Sequence, residues 1–337
     1  MKAYRIPHGG TIEGLQLEDV VERPLDPHEV RVKVRAVSLN YRDLMVASGA
    51  YPIRVDVPII PCSDGAGDVV AVGSMVSRVK PGDRVAASFF PHWHESTPLP
   101  CKIRSALGGD VDGMLAEQVT LHEEALVSIP DALSYADAST LTCAGVTAWN
   151  AIFESSNVRP GDTVLLLGTG GVSILGLQMA KAAGMRVIIT SSSDEKLTRA
   201  RGLGADVTIN YRTHPEWQED VLRHTDGKGV DVVLEVGGQG TITRSVASTA
   251  MGGTIAVIGG VSGFGGEVNP STLSMTAKRM VGIYVGSRAM LEQTAQFVAG
   301  AGIKPVVDRV FPFSEAKEAY RHLESGAHFG KVVIEIG

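Results

Sequence analysis

The sequence predicts an α/β protein of two domains, one rich in β-strands and one built on a doubly wound parallel sheet. With 337 residues, of which 44% are apolar, the chain can fill a hydrophobic core in each domain. Its first third is rich in Gly, Pro and Val and alternates between apolar and polar positions. From about Pro160 the pattern changes to apolar strands separated by helical stretches, which is typical of a parallel sheet with helices on both faces.

Short strands are predicted in the first third because apolar residues alternate along it. The alternating positions are Val32, Val34 and Ala36, then Val70 and Val72, and Val85 after a turn. That turn is Lys80-Pro-Gly-Asp83, whose Pro and Gly are typical turn formers. We therefore expect antiparallel strands joined by tight turns.

Six strands and intervening helices are predicted in the second part. The strands are Thr163–Leu167, Arg186–Thr190, Val207–Asn210, Val230–Val236, Thr254–Ile258 and Val281–Val285. The helices between them are Ile174–Ala183, Asp194–Leu203, Pro215–His224 and Thr241–Ala250. A helix at Ser314–Ser325 and a strand at Lys331–Glu335 complete the prediction. Strands that alternate with helices in this way form a parallel sheet.

Composition excludes several classes of function. The 31 Lys and Arg residues against 37 Asp and Glu leave a net charge of -6, without the basic excess that nucleic-acid binding requires. No apolar run reaches the roughly 18 to 20 residues of a membrane span, and the N-terminal residues lack the apolar stretch of a signal peptide. The three cysteines, Cys62, Cys101 and Cys143, are widely spaced and favour reduced thiols in the cytoplasm.

A glycine-rich turn follows the first strand of the parallel sheet. The strand Thr163–Leu167 leads into Gly168-Thr-Gly-Gly-Val-Ser173, after which a helix begins. Gly168 would allow the tight turn, and Gly170 would let the backbone approach a pyrophosphate at the helix N-terminus, beside Gly171 and Val172. The third glycine position of the pattern holds Ser173, which is small enough for close packing. The alternative is an ordinary Gly-rich turn without a ligand, but the six-strand context favours dinucleotide binding.

The end of the second strand indicates which dinucleotide is bound. NAD-preferring folds place a carboxylate there to accept the ribose 2′-hydroxyl, whereas this strand ends in Ser191-Ser-Ser193. Ser192 and Ser193 can donate hydrogen bonds to a 2′-phosphate, and Lys196 or Arg199 can supply positive charge. We therefore expect NADP(H). Asp194 and Glu195 follow closely, and we interpret them as acids at a helix N-terminus.

The chain resembles the medium-chain dehydrogenase/reductase superfamily over nearly its full length. The matching segments are Ser38-Leu-Asn-Tyr-Arg-Asp43, Gly49-Ala-Tyr-Pro52, Asp64-Gly-Ala-Gly67, Val70-Ala-Val-Gly73, Val79–Val85, Ala144–Trp149, the glycine turn and Gly330-Lys-Val-Val333. The resemblance implies a GroES-like β-rich catalytic domain, residues 1–142 completed by 288–337, and a Rossmann NADP-binding domain, residues 143–287. Within the superfamily the chain looks like the zinc-independent, quinone-oxidoreductase-like branch.

Both zinc sites of the alcohol dehydrogenases are expected to be absent. The positions that match the catalytic zinc ligands hold Asn40, Ser63 and Cys143, so one ligand of three remains. The loop that would hold a structural zinc has Cys101 where four cysteines are needed. A rival site could combine His92 and His94 with Cys101 or Asp64, but this spacing is not a recognised tetrahedral set, and we predict no metal.

The resemblance also implies roles for individual residues. Asn40 matches a residue near the nicotinamide ribose, Thr147 one at the nicotinamide, and Lys196 and Tyr211 match residues near the adenosine 2′-phosphate. Further cofactor contacts are implied at Gly259, Gly260, Val285, Gly286 and Lys331. The branch often has a tyrosine two residues after Asp43, whereas this chain has Met45, which leaves Tyr51 as the nearest replacement.

Without zinc, the expected acceptor is one that delocalises its own charge, such as a quinone or an α,β-unsaturated carbonyl. A donor from Tyr51, Arg42 or an ordered water would meet the acceptor oxygen, and the candidate catalytic residues are Tyr51, Asn40 and Arg42. Each also has a structural interpretation, in which Tyr51 closes a loop and Arg42 is a buried partner of Asp43 or Asp64. Cys143 is expected to be a packed small residue rather than a reactive thiol.

Two other functions stay open on the sequence. One is an NADP-dependent enzyme acting on alcohols and aldehydes without zinc, and the other is a low-turnover NADPH-binding protein with a structural or sensor role. The superfamily commonly dimerises by pairing the last Rossmann strand across a two-fold axis, and the apolar strand Val281–Val285 would suit this. We therefore expect a homodimer that binds a small-molecule substrate.

Overall fold

The computed structural model describes residues 1–7, 9–51 and 58–337 of the chain. They form two compact units. Unit 1 comprises Met1–Val146 and Gly286–Gly337, and unit 2 comprises Thr147–Val285. In the described part of the chain, no helix is both long enough and apolar enough to cross a membrane.

The secondary structure alternates strands and helices along the chain. In chain order the strands are β1 (Lys2–Arg5), β2 (Gln16–Asp19), β3 (Glu29–Leu39), β4 (Asp64–Val72), β5 (Arg84–Ala87), β6 (Gln118–His122), β7 (Leu126–Ser128), β8 (Thr163–Leu167), β9 (Arg186–Ser191), β10 (Val207–Asn210), β11 (Val230–Glu235), β12 (Thr249–Val257), β13 (Arg279–Gly282), β14 (Val307–Pro312) and β15 (Lys331–Glu335). The α-helices are α1 (Tyr41–Ser48), α2 (Pro100–Ile103), α3 (Tyr135–Thr140), α4 (Val146–Trp149), α5 (Gly171–Ala182), α6 (Asp194–Gly202), α7 (Trp217–His224), α8 (Ile242–Ser248), α9 (Pro270–Met275), α10 (Arg288–Gly300) and α11 (Ala316–Glu324). Two π-helical segments, Leu141–Gly145 and Asn150–Glu154, flank α4.

Unit 1 is built on a seven-stranded sheet with the order β14-β15-β3-β4-β5-β7, in which β6 pairs with β3. The central strand β3 buries Val30, Val32, Val34 and Ala36 on one face, as their alternation predicts. The predicted turn before β5 is also present, since the amide of Asp83 donates to the carbonyl of Lys80 (3.1 Å). Leu39, Val46, Leu107, Met114 and Tyr320 belong to the core of this unit.

Unit 2 is a six-stranded parallel sheet with the order β10-β9-β8-β11-β12-β13. The order runs outward in both directions from the central pair of β8 and β11, as in a doubly wound fold. Strands buried on both faces read as continuous apolar runs, and β8 and β11 accordingly bury nearly every residue. The predicted fold class is confirmed.

Three predicted details are wrong. The last strand of the parallel sheet ends at Gly282, and Val285 instead has a φ of 56°, so the strand does not reach it. The predicted helix at Thr241–Ala250 ends at Ser248, because β12 already begins at Thr249. In β4 it is Val69 that is buried and Val70 that is exposed, because the pairing with β3 contains register shifts. Helix α10 and strand β14 had no counterpart in the prediction.

Candidate active site

Strand register brings polar residues together in unit 1. The antiparallel pair β15 and β3 places Val332 opposite Leu39, so Lys331 lies beside Asn40. On the other side of β3, Ser38 pairs with Asp64, the first residue of β4. Neighbouring strands thus assemble a cluster from residues that are far apart in sequence. We call Asn40, Ser63, Asp64 and Lys331 the polar ring.

The polar ring is closed by hydrogen bonds and one ion pair. The ammonium of Lys331 lies 2.5 Å from Oδ1 of Asn40, 2.7 Å from the carbonyl oxygen of Leu39 and 3.6 Å from Oδ2 of Asp64. Ser63 donates to Oδ1 of Asp64 (2.7 Å), and Nδ2 of Asn40 lies 3.4 Å from Oγ of Ser63. Asp64 and Ser63 are fully buried and Lys331 is 3% exposed, whereas Asn40 is partly exposed. The buried ion pair therefore has hydrogen-bond partners on both sides, which such a pair requires.

Backbone packing fixes the loop that carries Ser63. Cys62 has a φ of 69°, a strained conformation for a residue other than glycine. Gly108 and Gly113 press against its backbone so closely that a Cβ on Gly108 would lie 2.5 Å from the amide nitrogen of Cys62. The Sγ of Cys62 also lies 3.2 Å from the hydroxyl of Tyr320, and burial raises the pKa of its thiol well above the ordinary value. These contacts hold Ser63 and Asp64 in place, and Cys62 is a fully buried, packed thiol.

The polar ring does not fit a zinc ion. Zinc binds thiolates, imidazoles and carboxylates, whereas the matching positions present an amide, a hydroxyl and the thiol of Cys143, whose pKa is raised by burial. The amide oxygen of Asn40 already accepts from the ammonium of Lys331, and this positive charge would repel a metal ion at the same oxygen. Among residues 1–7, 9–51 and 58–337, no group of three or more His, Cys, Asp or Glu side chains could hold a metal ion. The rival site at His92 and His94 is likewise not assembled, and Nε2 of His94 contacts the carbonyl of Pro91 (3.2 Å).

Arg42 and Tyr51 lie close together in unit 1. The guanidinium carbon of Arg42 is 4.8 Å from the ring centroid of Tyr51 and 4.8 Å from that of Phe89, so it is stacked between two aromatic rings. Nη1 of Arg42 donates to the carbonyl of Leu107 (2.8 Å). Neither Asp43 nor Asp64 accepts a hydrogen bond from Arg42, but the charge of Arg42 acts on the buried Asp43 and opposes the desolvation that raises its pKa, so the interpretation of Arg42 as a partner of that acid stays a prediction. Arg42 is positioned to orient the Tyr51 ring.

Asp43 anchors the start of helix α1. Its Oδ2 accepts the backbone amide of Asn40 (2.8 Å), which fixes the N-cap residue of that helix. Desolvation raises the pKa of Asp43 to about 6, although Arg42 and the amide of Asn40 act to lower it. The Asn40 backbone is therefore held by one acid and its side chain by one lysine.

In unit 2 the glycine turn has the geometry of an anion site. Gly168 has a φ of 72°, and helix α5 begins at Gly171 with Gly170 as its N-cap. A Cβ added to Gly168 or Gly170 would meet no atom within 4 Å, so the turn is open on its outer side. The first amides of α5 have no acceptor within the helix, and its dipole favours a negative group there. The turn thus fits the pyrophosphate of a dinucleotide. Ser173 donates to the carbonyl of Leu167 (2.7 Å) and so ties the helix to the strand.

The end of β9 lies beside this turn in the sheet. Ser191 is 3% exposed, and its Oγ accepts the amide of Ser193 (3.3 Å). Lys196 lies in the first turn of α6, where its amide donates to Oγ of Ser193, and the amide of Tyr211 donates to the carbonyl of Ser191 (3.0 Å). Tyr211 is 42% exposed, and Ser192 is partly exposed. Serine hydroxyls, a lysine and a tyrosine therefore lie around the end of β9, and position 191 itself is a serine instead of an acidic residue.

Two residues that sequence reasoning missed hold the neighbouring loops. Glu235, fully buried at the end of β11, accepts the amides of Gly237 (2.8 Å) and Gly238 (2.9 Å) and the hydroxyl of Thr241 (2.6 Å). Asn150 donates from Nδ2 to the carbonyl of Val285 (2.8 Å). An acid at the end of an apolar strand could have signalled Glu235, whereas no local pattern points to Asn150.

The predicted site residues fall into two groups. In unit 1 the structure brings Asn40 together with Lys331, and Arg42 together with Tyr51. In unit 2 the carboxyl ends of the strands bring together Gly168, Gly170, Gly171, Val172, Ser191, Ser192, Gly259 and Gly260, with Lys196 and Tyr211 at the edge. Thr147 is buried on α4, and Val285 and Gly286 follow β13. Pro52 of the predicted motif lies outside the described residues.

Two family models match the chain. The alcohol dehydrogenase GroES-like domain matches residues 26–131, and the zinc-binding dehydrogenase model matches residues 171–300. A zinc-type alcohol dehydrogenase-like protein of Schizosaccharomyces pombe is 45% identical, over 94% of this chain and 93% of that protein. The chain belongs to the medium-chain dehydrogenase/reductase superfamily. The zinc-binding model begins after Asn40, Ser63 and Cys143, so its match does not include the ligand positions.

Solved structures place this dehydrogenase/reductase among oxidoreductases of two kinds. An NAD-dependent alcohol dehydrogenase has a TM-score of 0.91 and 36% identity, with all of both chains covered. The quinone oxidoreductase of Escherichia coli, solved with NADPH, has a TM-score of 0.85 and 25% identity, again with all of both chains covered. The chain is thus an oxidoreductase with a GroES-like domain and a Rossmann-like domain.

Proposed function

We propose that this protein uses NADPH to reduce quinones or α,β-unsaturated carbonyl compounds without zinc. The observation that carries the proposal is the ammonium of Lys331, which lies 2.5 Å from Asn40 at the position where related enzymes need a metal ligand. With no Lewis acid at that point, an isolated carbonyl is a difficult acceptor, whereas a conjugated one spreads the developing charge itself. The solved E. coli neighbour is a quinone oxidoreductase, which supports the same substrate class.

The choice of NADPH over NADH follows from the end of β9. An acid there would accept the ribose 2′-hydroxyl of NADH and repel a 2′-phosphate. This chain has Ser191, followed by the partly exposed Ser192 and by Lys196. Hydroxyl donors and a lysine are the groups that bind phosphate.

In this reaction, bound NADPH supplies a hydride and the acceptor takes up one further proton. The amides at the start of α5, with Gly168 and Gly170, would hold the pyrophosphate of the cofactor. Asn40 offers a hydrogen-bond donor to the acceptor oxygen as negative charge develops on it. Tyr51 delivers the proton to that oxygen, and Arg42 holds the Tyr51 ring by stacking on its face. Tyr51 regains its proton from solvent.

A substrate panel tests the proposal. Purified protein is assayed with NADPH and with NADH against benzoquinones, naphthoquinones, linear enones and saturated aldehydes, and with NADP⁺ against saturated alcohols. We expect reduction of the conjugated acceptors with NADPH and slow or no turnover of the saturated compounds. Brisk oxidation of simple alcohols, with every conjugated acceptor inert, would contradict the proposal.

A second candidate is an alcohol dehydrogenase activity. It is favoured by the names of the S. pombe relative and of the NAD-dependent neighbour, which are both alcohol dehydrogenase-like. The polar ring argues against it, because zinc activates the alcohol in the zinc enzymes and the ring lacks a zinc ligand set. The saturated alcohols in the panel separate the two candidates.

We also propose that the protein is a cytoplasmic homodimer. Strand β13 is the last strand of the six-stranded sheet, and Met251 and Met275 near it are 75% and 82% exposed. An open edge beside exposed apolar side chains suits pairing with a second copy. The three free cysteines agree with a reducing compartment. Sedimentation at twice the 35.5 kDa chain mass is the expected result, and sedimentation as a monomer would contradict the dimer.

A further inference from the structure

The orientation of the Asn40 side chain is determined by its neighbour Lys331. The two ends of a side-chain amide are easily interchanged, because one has an acceptor oxygen and the other a donor nitrogen. An ammonium has donors and no acceptor, so the atom that faces Nζ of Lys331 at 2.5 Å must be the oxygen. Nδ2 of Asn40 therefore points away from Lys331.

Nδ2 has two hydrogens, and the polar ring uses at most one of them. The contact from Nδ2 to Oγ of Ser63 is 3.4 Å, at the long end of the hydrogen-bond range. The hydroxyl of Ser63 donates its hydrogen to Asp64, so the Ser63 oxygen can only accept from Nδ2. The second hydrogen of Nδ2 belongs to a residue that is partly exposed, unlike the buried residues around it. This hydrogen is therefore the donor of the ring that is left for a bound molecule.

The charge of Lys331 acts on the same amide. Its ammonium bonds to Oδ1, and hydrogen bonds polarise one another along a chain, so Nδ2 becomes a stronger donor than an amide in water. The lysine is 3% exposed, and Asp64 and the carbonyl of Leu39 hold its ammonium group in a fixed position. A preorganised donor of this kind stabilises charge on a reacting oxygen without reorganising.

We propose that Lys331 is a positioning residue, which orients and polarises Asn40 so that Nδ2 donates to the oxygen of the acceptor. The inference rests on the proposed reduction of conjugated carbonyl compounds. It differs from direct contact of Lys331 with the cofactor, because the buried ammonium is directed at Asn40 and Leu39. A lysine and an asparagine thus provide the electrophilic assistance that a metal provides in the zinc enzymes.

The first test removes the donor and keeps the contact with Lys331. In Asn40→Asp, a carboxylate can still pair with the lysine but has no hydrogen to donate. We expect kcat to fall by roughly ten- to a hundredfold, as in Asn40→Ala, while the thermal midpoint of Asn40→Asp stays at or above that of the unmodified protein. Full kcat in Asn40→Asp would overturn the proposal, since the donor would then be unnecessary.

The second test removes the lysine without leaving a buried charge. The double variant Lys331→Met with Asp64→Asn removes both charges of the buried pair, and Lys331→Arg is the conservative variant. We expect a lower kcat with little change in KM for the double variant, and partial recovery for Lys331→Arg. In an Asn40→Ala background the double variant should lower kcat no further, because Lys331 acts through Asn40. An equal loss in both backgrounds would show a structural role and overturn the proposal.

A spectroscopic measurement does not depend on turnover. In protein labelled with ¹⁵N-asparagine, the side-chain amide signal that disappears in Asn40→Ala identifies Asn40. We expect the chemical shift of this signal to change in the Lys331→Met, Asp64→Asn variant. An unchanged chemical shift would contradict the orientation of Asn40 by Lys331. If the protein reduces no conjugated acceptor but the signal moves, the proposed function fails and the orientation of Asn40 by Lys331 stands.

Discussion

The side-chain amide of Asn150 donates a hydrogen bond of 2.8 Å to the main-chain carbonyl of Val285, a residue with a φ of 56°. A β-branched residue rarely adopts this left-handed conformation, which costs on the order of 1 to 3 kcal/mol and persists where the surroundings impose it. Asn150 is 6% exposed, and its Oδ1 accepts the hydroxyl of Ser155 (2.8 Å). The π-helical segment that carries Asn150 thus holds the backbone at Val285, one of the predicted cofactor contacts.

Asn150→Ala should weaken NADPH binding. Loss of a buried hydrogen bond costs about 1 to 2 kcal/mol, and if this cost falls on the conformation of Val285, the Kd rises by roughly 5- to 30-fold. Fluorescence titration of the protein with NADPH measures the change. Ser155→Ala is the matched control, because it removes the bond to Oδ1 and leaves the one to Val285. A lower thermal midpoint with an unchanged Kd would assign Asn150 to stability alone.

Ser191→Asp should reverse the cofactor preference. The carboxylate would lie where the 2′-phosphate is expected and would repel it, while it could accept the 2′-hydroxyl of NADH. We expect NADPH affinity to fall at least roughly tenfold, which corresponds to about 1.4 kcal/mol, and NADH affinity to rise. Calorimetric titration with both cofactors measures this. Thr198→Asp, on the exposed part of α6, is the control for added charge, and equal loss in both variants would contradict a specific role of Ser191.

The parallel sheet could be predicted from the sequence because its central strands β8, β9 and β11 are buried on both faces and form apolar runs. Thr163–Leu167 and Val207–Asn210 were predicted with the bounds that the structure has, and the turn glycines follow β8 as expected. Val285 was wrongly placed in a strand, because a Val-rich segment has high strand propensity and the bond from Asn150 that overrides it comes from 135 residues away.

Only some residues of the polar ring could be predicted from the sequence, and their contacts could not. Asn40 and Lys331 were predicted separately as cofactor contacts, yet they are 291 positions apart, and only the register of β15 against β3 brings them together. The role of Asp64 as the buried partner of Lys331 was missed for the same reason. Sequence patterns show which face of a strand is buried, whereas pairing between distant strands depends on the whole fold.

The purified protein should contain no stoichiometric zinc, because Asn40 and Ser63 are not zinc ligands and the burial of Cys143 disfavours its thiolate. Elemental analysis checks this. The combined variant Asn40→Cys, Ser63→His and Lys331→Met should gain zinc, since it offers two thiols and an imidazole and removes the competing ammonium. Adding Cys143→Ser to that variant should abolish the gain. Zinc in the unmodified protein that leaves together with activity on chelation would contradict the prediction.

Glu123 should make stability depend on acid pH. Desolvation acts to raise the pKa of this buried carboxyl, but hydrogen bonds from His28 and from the amides of Ser77 and Arg78 outweigh it and lower the pKa to about 2 from the ordinary 4.5. A lowered acid pKa stabilises the fold above 4.5, and this contribution is lost as the pH falls from 4.5 towards 2.

Urea unfolding between about pH 6 and pH 2.5 measures this contribution. We expect Glu123→Gln to be less stable than the unmodified protein near pH 6 and to lose less stability on acidification. Glu124→Gln, which changes a more exposed neighbour, should lose as much stability on acidification as the unmodified protein does. If the free energy of unfolding depends on pH identically in Glu123→Gln and in the unmodified protein, Glu123 is not the source of the acid dependence.

Tyr51→Phe should lower the turnover number for quinones and enones while NADPH affinity stays the same. The Tyr51 ring is oriented by the guanidinium of Arg42 at 4.8 Å, and the backbone amide of Tyr51 donates to the carbonyl of Met45 (3.1 Å), so the phenol is attached to helix α1, which begins beside Asn40. Removing one donor to a developing negative charge costs about 2 to 4 kcal/mol, which lowers kcat by roughly 30-fold to several hundredfold.

Tyr41→Phe is the matched control for this substitution. Tyr41 is the first residue of α1 and is 48% exposed, so its hydroxyl is not expected to take part, and kcat should stay at the unmodified value. Arg42→Lys should fall between the two, because it keeps the charge but loses the planar group that stacks on the ring. Unchanged kcat in Tyr51→Phe would remove Tyr51 as the proton donor and leave solvent to protonate the oxygen. The loss in Asn40→Asp would then persist, because hydride transfer still needs a donor to the oxygen before the proton arrives.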